Sequence, residues 1–119
     1  MNFTDYQEHA TSTADFDDDD QALDCVLAGL TGELGEMMEA WKKYRRGDDV
    51  KAGMSEIGAF RKFKAKTILE AGDVLWYLSM YLYLWDIDLE RVALMNLNKL
   101  SERQANGVLH GSGDTDEAG

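Results

Sequence analysis

Between Leu23 and Trp41, the residues Leu23, Leu27, Leu30, Leu34, Met37, Met38 and Trp41 recur at helical spacing. Each helical residue advances about 100° around the axis, so side chains spaced this way line one face. A second stretch, residues 74–85, is apolar throughout except for Ser79. That is the mark of a helix covered by neighbours on several sides, and it falls short of the roughly 20 residues needed to cross a bilayer. The chain of 119 residues contains no proline, although the tight turns of sandwiches and barrels recruit it. These features together predict an all-α fold of the four-helix-bundle type.

Helices are expected at about residues 4–13, 21–46, 67–85 and 89–104. The acidic run at residues 15–20 reads as a solvated loop that also caps the second helix. Lys42, Lys43, Arg45 and Arg46 followed by Gly47 form a C-terminal signature. Residues 48–66 are read as a loop leading into a helical turn or the start of the next helix. Asp86 and Asp88 end the third helix and cap the fourth. Residues 1–106 form one domain, and residues 107–119 form a mobile tail rich in glycine and acids. Two helical layers of this size leave little room for an enclosed site, so a second subunit is expected to complete core and cleft, as a homodimer or homotetramer.

The formal charge is −11, from 23 acids and 12 bases. Such a surface repels polymeric nucleic acid and anionic membranes, so neither is an expected partner. Nine of the 12 bases fall between Lys42 and Lys66. Cys25 alone excludes an intrachain disulfide, and on an apolar face it is expected to be a buried hydrophobe. The N-terminus lacks the features of a signal peptide, and a cytoplasmic protein is expected.

Two acidic motifs interrupt the apolar helices: Glu33-x-x-Glu36, with Gly32 and Gly35, and Glu70-x-x-Asp73, with Gly72. Residues three apart share a helix side, so each motif presents a pair of carboxylates. With the apolar face centred on Leu23, Leu30 and Trp41, Glu33 lies roughly 80° from centre and Glu36 roughly 140°. Four carboxylates in one volume need a cation, and an all-oxygen set suits Mg²⁺, with Mn²⁺ as substitute. The flanking glycines cost helix propensity of about 1 kcal/mol each, a cost that room for phosphates or a close helix approach would offset. On spacing alone, a solvated face remains the alternative to a metal site.

Di-iron chemistry would need Glu-x-x-His pairs, and neither His9 nor His110 follows a glutamate at that spacing. Both histidines are expected at the surface. On the fourth helix Asn96, Lys99 and Arg103 share a face, where the cations meet either phosphates or the bundle's own acids. Trp41, Trp76, Trp85, Tyr77, Tyr81 and Tyr83 are expected mostly in the core. There is no phosphate-binding loop and no dinucleotide-binding glycine fingerprint.

The segments LTGELGE at residues 30–36, LEAGDVLWY at 69–77 and NLNKL at 96–100 resemble, in order, the MazG-like nucleotide pyrophosphohydrolases. The resemblance spans about residues 20–113. It implies an all-α fold usually built by subunit pairing, with Mg²⁺ held by Glu33, Glu36, Glu70 and Asp73. It also implies phosphate binding by Lys99, with Asn96 on the matching asparagine and Arg103 at a commonly basic position. The longer, basic 48–66 segment and the acidic end of the tail depart from the pattern.

The reaction expected is hydrolysis of an NTP or dNTP to NMP or dNMP and pyrophosphate. Glu36 would polarise the water attacking the α-phosphorus, and Lys99 would neutralise phosphate oxygens. The rivals are a phosphoribosyl-ATP pyrophosphohydrolase and a non-catalytic metal- or nucleotide-binding interaction protein.

Overall fold

The computed structural model describes residues 1–16 and 18–107; Asp17, His110 and the tail beyond Gly107 lie outside them. Five helices follow one another: α1 (Phe3–Thr11), α2 (Asp19–Arg46), α3 (Asp48–Lys51), α4 (Glu56–Leu84) and α5 (Leu89–Ala105). No strand occurs among the described residues. The chain is all-α.

Local chemistry sets the helix ends. The side chains of Asn2, Asp18, Ser55 and Asp88 accept from backbone N–H groups in the first turns of α1, α2, α4 and α5. Gly47 closes α2 in the left-handed region at φ 72°, where its N–H returns to the carbonyls of Lys43 and Tyr44. The segment read as a loop leading into a helical turn or the next helix consists of the single turn α3, a short connection and the first three turns of α4. Capped by Ser55, α4 begins at Glu56, eleven residues before the expected boundary at residue 67, so Arg61, Lys62, Lys64 and Lys66 all stand on a helix.

α2 and α4 pack along their length and form the body of the molecule. Tyr44 stacks on Phe63 with centroids 4.7 Å apart, while the Tyr77 ring lies against Gly29 at the other end. Early residues of one helix thus meet late residues of the other, so the pair is antiparallel. The seam on α2 runs through Ala22, Val26, Gly29, Glu33, Met37, Ala40 and Tyr44, none of them exposed. Its counterpart on α4 runs through Ala59, Phe63, Thr67, Glu70, Val74, Tyr77 and Tyr81, also unexposed. These four-and-three steps are the spacing of packed helices.

The large apolar stripe of α2 points elsewhere. Leu34 and Met38 are 52% and 57% exposed, and Leu27 and Trp41 are also exposed. The expected apolar face is therefore offset from the real seam, which uses smaller residues so that the helices approach closely. Trp85 and Tyr83 are exposed and Trp76, Tyr77 and Tyr81 half-buried, so the aromatics are not mostly core. Cys25 is exposed rather than buried, because it lies roughly 80° from the seam on the side away from the stripe. His9 is at the surface.

α1 docks on α4 through the buried Gln7. Its amide nitrogen donates to the carbonyls of Ser79 (3.1 Å) and Ile87 (3.0 Å), and its oxygen accepts from the N–H of Leu89 (3.1 Å). One side chain thereby ties α1 to the α4–α5 corner, where Asp86 takes the left-handed conformation at φ 58°. α5 packs against α1 and α4 but does not lie along α2 in the same way. The radius of gyration is 18.2 Å, against about 13.5 Å for a compact chain of this length. No helix among the described residues is long and apolar enough to cross a membrane.

Candidate metal centre

Two seam positions are occupied by glutamates. Glu33 and Glu70 stand where apolar side chains would otherwise fill the α2–α4 interface. Glu70 is only 5% exposed, Glu33 is half-buried, and Asp73, one turn beyond Glu70, is exposed. One carboxylate oxygen from each of Glu33, Glu70 and Asp73 lies within 4.8 Å of the others. Glu36 is exposed and stands outside this trio, but it lies near enough for its charge to act on Glu33. The two acidic motifs thus meet at one place.

The electrostatics follow from crowding. The hydrogen bond to Glu70, then burial, then the charges of Glu36, Glu70 and Asp73 push the Glu33 carboxyl up to about 7. Glu70 moves the opposite way, held low first by that same hydrogen bond and then by Lys66. Lys66 Nζ lies 2.9 Å from Glu70 Oε1, one helical turn earlier on α4. The other oxygen of Glu70, Oε2, and Oε2 of Glu33 are buried without a hydrogen-bond partner. Burying an acceptor unpaired is costly, and two such acceptors in one acidic cluster fit a hard, oxygen-seeking divalent cation.

The surroundings are distinct on each side. Tyr6 of α1 approaches Asp73; burial first, then that carboxylate, raise its phenol. On the other side an open groove of about 660 Å³ runs between α2, α3 and α4, lined by Glu36, Lys43, Tyr44, Lys62 and Lys66 among others. Gly32, Gly35 and Gly72 face open space: a Cβ at any of them would meet nothing within 4 Å. The close helix approach occurs instead at Gly29, where a Cβ would overlap the Tyr77 ring.

The α5 residues belong to a third element of the fold. Lys99 and Arg103 are half-buried and Asn96 is exposed, on a helix that packs against α1 and α4. Sequence reasoning passed over Lys66, although its four-residue spacing from Glu70 was a legible signal. It also passed over Tyr6 and Gln7, whose importance depends on where α1 docks.

Comparison with known proteins decides the family. The chain matches the MazG nucleotide pyrophosphohydrolase domain over residues 21–108. It belongs to the MazG family. The match takes in both acidic motifs of this MazG domain and most of the α2, α4 and α5 framework. A relative named Gene 37 protein, from Mycobacterium phage L5, is 35% identical over 115 residues, covering 92% of this chain and 94% of the relative. No solved structure matches significantly.

Proposed function

We propose that this MazG domain is a divalent-metal-dependent pyrophosphohydrolase that converts an NTP or dNTP to the corresponding monophosphate and pyrophosphate. The observation that carries this reading is the Glu33–Glu70–Asp73 cluster at the edge of the α2–α4 seam, with two buried carboxylate oxygens unpaired. A purely structural bundle gains nothing from carboxylates in such positions, because like charges in a shared site oppose one another. Glu33, Glu70 and Asp73, with Glu36 at the rim, would hold Mg²⁺, and Mn²⁺ is the expected substitute. When bound, the ion supplies charge neutralisation to the triphosphate oxygens and to the departing pyrophosphate.

The remaining work falls to the chain's own groups. Glu36, exposed beside the cluster, would orient the water that attacks the α-phosphorus and take up its proton. Lys99 and Arg103 neutralise phosphate oxygens, and the Asn96 amide donates a hydrogen bond to them. Pairing of two chains is part of this proposal, because the exposed apolar stripe of α2 needs a cover and α5 does not lie along α2 within one chain.

Release of pyrophosphate from a panel of canonical and modified triphosphates, with Mg²⁺ and with EDTA, tests the reading. Metal-dependent release is expected, and Glu36→Gln and Asp73→Asn should each lower it by at least about 10²-fold while circular dichroism stays helical. Wild-type rates in both variants would sink the assignment. Turnover of phosphoribosyl-ATP alone would redirect it within the enzyme class, and binding without turnover would make the protein a nucleotide sensor.

A further inference from the structure

Lys66 is unused by the function just proposed, yet it joins the two most distinctive features of the surface. Its ammonium is 2.9 Å from Oε1 of Glu70, the most buried acid of the cluster. Its side chain is half exposed and also lines the groove between α2, α3 and α4. Lys66 is thus ion-paired to a carboxylate of the cluster. The neighbouring groove lysine one turn earlier, Lys62, is engaged differently, 2.8 Å from Asp49 at the far wall.

An ammonium held by a buried carboxylate at the mouth of an open groove is aimed by the fold without being enclosed by it. The lysine stem has several rotatable bonds and the charge is compact, so a small rotation carries it from carboxylate to phosphate. A triphosphate brings far more negative charge than Glu70 alone can offer, and its oxygens would approach from the open side. We propose that Lys66 is a further phosphate-binding residue of this site, parked on Glu70 and facing the groove that receives the substrate's phosphates. This deepens the pyrophosphohydrolase reading and rests on it. Glu70 then has two tasks: one oxygen stays free for the cation and the other positions the ammonium.

The test separates Lys66 from the metal site. Mn²⁺ binding alone, and pyrophosphate binding at saturating Mn²⁺, are measured by calorimetry on the full chain and on Lys66→Met, Lys66→Arg, Lys62→Met and Glu70→Gln. Lys66→Met should bind Mn²⁺ at least as tightly as wild type but bind pyrophosphate about tenfold more weakly, the loss of one charge-assisted contact. Lys66→Arg should recover most of that loss, and Lys62→Met should show little of it. Unchanged pyrophosphate affinity in a folded Lys66→Met would overturn the proposal, as would an equal loss in Lys62→Met. Loss of Mn²⁺ binding in Lys66→Met would also overturn it, because Lys66 would then only support Glu70. If Glu70→Gln binds Mn²⁺ as wild type does, or wild type binds none, the metal site itself fails and Lys66 falls with it.

Discussion

At the scale of single residues, Glu33 carries the most information. Its carboxyl is raised from 4.5 to about 7, first by the hydrogen bond to Glu70. A carboxyl raised in the folded state binds its proton more tightly there than in the unfolded chain. The resulting stability is present below about pH 4.5 and is lost as pH rises through about 7. Glu70 has the opposite sign, and its contribution is lost only as pH falls below the ordinary carboxylate range. Between the two limits the Glu33 sign prevails. Thermal melts in EDTA should therefore show the midpoint falling between pH 5 and pH 8, and Glu33→Gln should flatten that fall. A flat wild-type profile would mean that Glu33 ionises as an isolated carboxyl does. The identity of the acids was readable from two spaced motifs, but this coupling was not. It depends on which carboxylates face one another across the seam, and spacing along a single helix says nothing about that.

Among the elements, the α2–α4 pair decides the geometry. Gly29 lets Tyr77 pack against the α2 backbone, and a methyl group there would meet the ring. Gly29→Ala should therefore destabilise the fold by about 1–3 kcal/mol despite the better helix propensity of alanine. Gly72 faces open space, so Gly72→Ala should leave the fold as stable or raise it by up to about 1 kcal/mol. Urea unfolding of the two variants checks the contrast, and equal effects would show that Gly29 does not set the approach. If the open space at Gly72 is kept for substrate or a second chain, Gly72→Ala should still lose activity. The start of α4 at Glu56 was the boundary least visible beforehand. Glycines at positions 53 and 58 read as loop, whereas Ala59 and Phe63 extend the seam and the Ser55 cap starts the helix.

For the whole molecule, the unfinished surface is the dominant fact. Beyond the α2 stripe, Ile68 and Leu69 on α4 are 69% and 68% exposed, and Leu94 and Leu97 on α5 are exposed as well. Patches of that kind mark sites of association. Sedimentation should find a species of at least twice the chain mass, and Leu34→Asp with Met38→Asp should shift it toward the monomer and lower activity with it. A wild-type monomer at micromolar concentration would remove pairing from the functional proposal.

The residues alone show that the chain is helical, where most helices end, and which two motifs carry the acids. Those properties are local: periodicity, capping and the four-residue reach along one helix are written in neighbouring letters. That Glu33 and Glu70 occupy the packing seam, that Gly29 rather than the motif glycines makes the close approach, and that Lys66 links the cluster to the groove became visible once the helices were packed. Each of these depends on the rotation of one helix against another. The larger apolar residues of α2 suggested one face, and the closer packing available to the adjoining stripe with Ala22, Val26, Gly29 and Ala40 selected another.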